Sequence, residues 1–217
     1  MINNDATTFD FGDGPVRARR HINPDGSLGG WVEDTARVDP MAYVGLYARV
    51  YGRAQVLDHV QVRGRARIYE HASVSGHAFV CGDAQVRGRV RIYGRACVSG
   101  DARVYGHAQV LDHAQVGGLA SVYGRARVYE RARVYERAFV FDDAQVHGDA
   151  QVHGDARVCG YVWVSDDARV YGHAQVLDLA HVYGDAHVCG DARVYGRAQV
   201  MGRASDMSRG HRTGSAF

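Results

Sequence analysis

The 217-residue chain predicts an all-β fold: a single-stranded parallel β-helix with three six-residue faces, about nine 18-residue coils, and an N-terminal cap. Three observations carry the prediction. Six residues repeat without insertion or deletion from Ala36 to Arg203, in 28 consecutive units of the form Ala-x-Val-x-Gly-x. The third place is Val or Ile in every unit, and the first is Ala except at Val60, Val90 and Val162. The fifth is Gly in 18 units and an acid in eight more.

A fixed period of this kind marks a stacked-repeat architecture. Six residues advance an α-helix by about 1.7 turns, so the valines would spiral around it and bury no common stripe. In a strand of period two, the first and third places share one face, and the second and fourth point away from it. Gly at the fifth place supplies the positive φ of a sharp corner, and Asp is among the better substitutes there. Each unit is therefore a short strand and a corner, and three units close a triangular coil. Coils stack at about 4.8 Å, which gives a prism on the order of 45 Å long. Each buried Val contributes about 1.5–3 kcal/mol against an ordering cost of about 1–2 kcal/mol per residue. Inter-coil hydrogen-bond ladders and nearest-neighbour stacking must supply the rest.

The aliphatic residue followed four places later by a small one, as in Val104 to Ala108 and Val110 to Ala114, resembles the hexapeptide repeat of left-handed parallel β-helices. Left-handed winding is implied by that resemblance. Periodicity alone also allows a right-handed solenoid with six-residue faces, as in bactofilin-like polymers.

Residues 1–35 form the cap segment. Asn3 to Asp13 is polar with two aromatics, Phe9 and Phe11; Pro15 to His21 is an Arg-rich candidate strand; Asn23-Pro24-Asp25-Gly26 is a turn by composition. Gly29-Gly30-Trp31-Val32 then leads into the repeat, with Trp31 expected as a plug over the floor of the core. This head, placed before an array of Val-Tyr-Gly-x-Ala units, resembles a bacterial and prophage family of hexapeptide-repeat proteins headed by Gly-Gly-Trp-Val. Members carry an acyltransferase label without an established reaction. Residues 36–203 are the repeat domain. Beyond Ala204 no helical apolar spacing exists, and residues 204–217 read as a disordered tail.

Net charge is only +2, which excludes a strongly basic nucleic-acid binder, and all 26 basic residues are Arg. Cys81, Cys97, Cys159 and Cys189 lie on outward places without metal-type spacing and read as free thiols of a reducing compartment. No signal peptide or membrane-length apolar run is visible, so a cytoplasmic location with no membrane partner is expected.

Residues three hexads apart stack into columns. One face carries Arg49, Arg67, Arg103, Arg157 and Arg193 at the second place, and Tyr51, Tyr69, Tyr105, Tyr123, Phe141 and Tyr195 at the fourth. Arg beside aromatic at coil spacing suits an anionic polymer; stacked aromatic rings along a ladder are the structural alternative. The candidate binding face is Arg49, Tyr51, Arg67, Tyr69, Arg103, Tyr105, Tyr123, Arg193 and Tyr195. Arg125 to Arg137 and Asp142 to Asp155 form zones of opposite charge that can register adjacent coils. The twelve histidines lie mostly at corner or outward places, with His59 and His77 on neighbouring coils and Arg89 between His71 and His107. No catalytic residue, metal site or cofactor is assigned.

These features predict a non-enzymatic rigid scaffold that associates with itself end to end or meets a protein partner. An acyltransferase-like protein is the alternative implied by the family label, and polyanion binding on the Arg/Tyr face is a third.

Overall fold

The computed structural model describes residues 7–201, and within them every regular element is a β-strand. Three parallel ladders run along the molecule. Face 1 rises from Leu28–Glu33 through Arg49–Val50 to Arg193–Val194, face 2 from Arg37–Val38 to Gln199–Met201, and face 3 from Tyr43–Val44 to His187–Val188. Each rung pairs with the rung three hexads on, as Arg49 with Arg67 and Val50 with Ile68. Outward residues donate across the gap: Arg49 N to Ala66 O and Tyr51 N to Ile68 O, each at 3.0 Å. The described residues complete close to ten coils.

The core follows the hexad. From Ala42 to Val200, every first-place and third-place side chain is buried, with Ile68 and Ile92 the largest. The alternation leaves no room for a polar group inside and no break along the axis.

Corners obey the fifth-place rule. A Cβ on Gly64, where φ is +66°, would lie 2.7 Å from the carbonyl oxygen of Gly82 on the next coil. The eight acids at this place adopt φ between 58° and 64°. Six of them, Asp58, Asp112, Glu130, Glu136, Asp166 and Asp178, recover part of that conformational cost by accepting from the corner amide of the next coil. Gly148 N donates to Glu130, Gly154 N to Glu136, Gly76 N to Asp58 and Gly196 N to Asp178, at 2.7–2.9 Å.

The N-terminal segment forms three strands, β1 (Thr7–Asp10), β2 (Pro15–Ile22) and β3 (Leu28–Glu33). β1 pairs antiparallel with β2, and β2 with β3. The Asn23–Gly26 turn closes with Gly26 N donating to Asn23 O at 2.8 Å. β3 is already the first rung of face 1, with Trp31 opposite Arg49 and Val32 opposite Val50. The ladder thus begins one hexad before Ala36, with Gly30 in the place that Ala fills elsewhere. Gly is required there because a Cβ on Gly30 would run into the carbonyl of Ala48.

The expectation of Trp31 as a plug over the core is corrected. Val32 takes the inward position and is buried, so the pleat turns Trp31 to the outer wall. The end of the coil is closed instead by β2 on face 1 and by Asn23 and His21 at Val44 and Ala42. The tail at 204–217 lies outside the described residues.

Candidate anion-binding wall

The nine candidate residues lie on the outer wall of face 1, Arg at second places and Tyr at fourth places of its rungs. The structure brings some together and separates others. Arg49 and Arg67 are direct neighbours on adjacent rungs. Tyr51 stacks on Tyr69 at 4.8 Å and 5°, and Tyr105 on Tyr123 at 4.7 Å and 2°. Phe141 continues the second stack at 4.9 Å. Arg103 is separated from Arg67 by Gln85, and from Phe139 by the buried Ser121. Arg193 and Tyr195 stand at the opposite end of the rod.

Ring stacking at coil spacing decides what these columns can offer. Inside the Phe11–Tyr51–Tyr69 and Tyr105–Tyr123–Phe141 stacks each ring face is taken by the next ring, so these stretches display edges and hydroxyls. Burial raises the phenol pKa of Tyr51 and Tyr123 above the ordinary value, so both remain neutral donors. A base or sugar finds no open ring face in the middle of the column. The ion-attracting part of the wall is the arginines.

The hairpin of β1 and β2 adds to this wall at its N-terminal end. Phe9 stacks on Trp31 at 4.7 Å, and Phe11 on Tyr51 at 4.7 Å. The two phenylalanines are two residues apart and so share a face, which lets them land on the second-place and fourth-place columns together. The Arg20 guanidinium lies 5.0 Å from the Trp31 ring and that of Arg49 lies 5.2 Å from Phe9. Between this hairpin and the corner of faces 3 and 1 is an open cavity of about 320 Å³. It is lined by Phe9, Arg20, Trp31, Leu46, Tyr47, Arg49, Arg65 and Arg67. Four guanidiniums and no carboxylate meet there. Column arithmetic finds Arg49 and Arg67. It misses Arg20, Phe9, Tyr47 and Arg65: no repeat says where the hairpin lies, Tyr47 sits in a coil with irregular corners, and Arg65 stands at a corner outside the two columns.

The histidines form surface contacts. His59 and His77 stack at 5.2 Å. His71, Arg89 and His107 line a shallow groove with Arg91 at the corner of faces 1 and 2. His147 and His153 lie 3.9 and 3.7 Å from Glu130 and Glu136. Across the zones of opposite charge, Arg131 and Asp149 stand 3.8 Å apart on adjacent coils. Both are exposed, and such a pair is worth about 0–1 kcal/mol. Among the described residues, no group of three or more His, Cys, Asp or Glu is placed to hold a metal ion. The four cysteines are free, and burial raises the thiol pKa of Cys81, Cys97 and Cys159. No helix among the described residues is long and apolar enough to cross a membrane.

Comparison with known families gives one finding consistent with this architecture. A family model described as the YdcK β-solenoid repeat matches residues 90–106, about one coil. No curated protein matches the chain in sequence. The matched stretch and the stacked ladders agree on a β-solenoid repeat protein.

Proposed function

We propose that this chain is a non-enzymatic rigid scaffold whose outer wall, face 1 above all, is its working surface. The observation that carries the reading is the constant register. Successive rungs pair at intervals of three hexads, from Trp31 with Arg49 to His181 with Gln199. Catalysis of the acyltransferase type needs a His beside a walled pocket; here His59 and His77 stack on each other, His147 and His153 face exposed carboxylates, and His71 and His107 line an open groove. Left-handed winding is part of the proposal, on the strength of the hexapeptide resemblance. Four free cysteines suit a reducing compartment such as the cytoplasm.

The ends of the rod are not equivalent. A head-to-tail filament needs an N-terminal edge free on all three faces, and here β2, Asn23 and His21 occupy it on faces 1 and 3. Self-association through ends would then pair like with like and stop at two copies. Electron microscopy with light scattering tests the reading. Stiff particles on the order of 50 Å long, or of twice that length, are expected. Flexible particles, open filaments, or saturable binding of an acyl-donor thioester accompanied by turnover would overturn it.

A further inference from the structure

We propose that the cavity between the β1–β2 hairpin and the first two coils is a binding site for a compact small-molecule phosphate, a mono- or diphosphate, held by Arg20, Arg49, Arg65 and Arg67. Like charges on adjacent rungs repel, yet Arg49 and Arg67 are direct partners in the ladder. Arg65 adds a third charge from the corner just before Arg67, and Arg20 a fourth from β2. No carboxylate lines the cavity to offset them. An anion with several oxygens relieves that repulsion, and planar guanidinium forks suit phosphoryl oxygens.

Two of the four groups are held in place before any ligand arrives. Arg20 rests over Trp31 and Arg49 over Phe9, and these two rings stack on each other. Arg20 also donates from Nη1 to Leu46 O at 3.3 Å, which fixes its position and leaves its other N–H groups for a ligand, and this pre-ordering cuts the cost of binding. Tyr47, 70% exposed, and Leu46 add an uncommitted ring and an apolar surface at the rim, room for an organic body on the phosphate.

Size is set by the charges further along the axis. The corner column reads Tyr47, Arg65, Asp83, Asp101, and the second-place column reads Arg49, Arg67, Gln85. Along this corner the sign therefore reverses after Arg65, and a long polyanion laid along it would meet Asp83 and Asp101. The cavity of about 320 Å³ is at the small end of ligand pockets. This inference does not rest on the scaffold reading, since a rigid rod and an enzyme could both carry such a site.

Titration calorimetry of the full chain with pyrophosphate, with ADP and with inorganic phosphate tests it. Arg67→Gln places at that position the residue the same column already carries at Gln85, so the fold should hold; an unchanged melting temperature checks this. Saturable binding of pyrophosphate or ADP is expected, weakened at least about ten-fold in Arg67→Gln and unchanged in Arg193→Gln at the far end. Equal binding of ADP and pyrophosphate supports a site that reads the phosphoryl groups alone; preference for ADP supports one to which Tyr47 and Leu46 contribute. The proposal is overturned by absence of heat with all three, by equal losses in Arg67→Gln and Arg193→Gln, or by much tighter binding of a 20-nucleotide strand than of ADP.

Discussion

The side-chain oxygen Oδ1 of Asn23 lies 2.8 Å from the backbone nitrogen of Val44, in a position where Asn23 is only 3% exposed. Val44 begins the ladder of face 3, so no earlier rung of that face can accept its N–H. Asn23 supplies the missing acceptor, and its own amide nitrogen donates to Ser27 Oγ at 3.0 Å. Replacing Asn23 by Ala strands a buried donor, at a cost of about 1–3 kcal/mol. Urea melts should show that loss, and Asn23→Ala melting like the parent would contradict the role.

The corner acids make a second prediction. Glu136 has φ of +59° and accepts from Gly154 N at 2.7 Å. Glu136→Ala keeps the unfavourable backbone and loses the bond, whereas Glu136→Gly loses the bond but relieves the backbone by about 1 kcal/mol. Chemical denaturation should place the Gly variant near the parent and the Ala variant about 1 kcal/mol below it. The reverse order would show that the carboxylate contact is idle.

Tyr123 sits between Tyr105 and Phe141 in a continuous ring column of face 1. Tyr123→Phe keeps both stacks, so its stability should match the parent. Tyr123→Ala removes two stacks, each worth about 0.5–1.5 kcal/mol beyond area burial. Thermal melts that fail to separate the two variants would mean that the ladder adds nothing to stability.

A pH dependence follows from His21. Its Nε2 lies 2.8 Å from Ala42 O, and burial lowers its pKa below the ordinary imidazole value, partly opposed by that carbonyl. Between the folded value and about 6.5, the unfolded chain binds the proton and the folded chain does not, so stability rises with pH there. The contribution is complete above about 6.5 and fades as pH falls through the folded value. The melting advantage of the parent over His21→Gln should therefore be larger at about pH 7.5 than at about pH 5. An advantage that grows on acidification would contradict the assignment.

Much of this architecture is legible from spacing alone. A Val or Ile at the third place of every hexad and a Gly or acid at nearly every fifth call for stacked coils with the aliphatic residues inside and corners of positive φ, in either hand. Column membership follows by adding three hexads, which is why the Arg49–Arg67 and Tyr105–Tyr123 neighbours can be read from the sequence. Contacts that do not repeat cannot be found this way. The Phe9–Trp31 stack depends on how a hairpin folds back on the wall, and the Asn23–Val44 bond on where a turn lands. Trp31 escapes the spacing rule for a related reason: the hexad runs through Gly30 and Val32, but Gly in the first place hides it. The capping of corner amides by acids is within reach of the sequence, since each of the six capping acids stands three hexads before the corner it serves.

Small-angle X-ray scattering of a variant with Ala102–Leu119 duplicated tests the central claim, a rigid rod built by stacking closed three-hexad coils. One extra coil should lengthen the particle by about 4.8 Å while its cross-section and melting temperature stay as in the parent. An unchanged length with a wider cross-section would mean that the added residues loop out, and that the chain is not a register-locked solenoid.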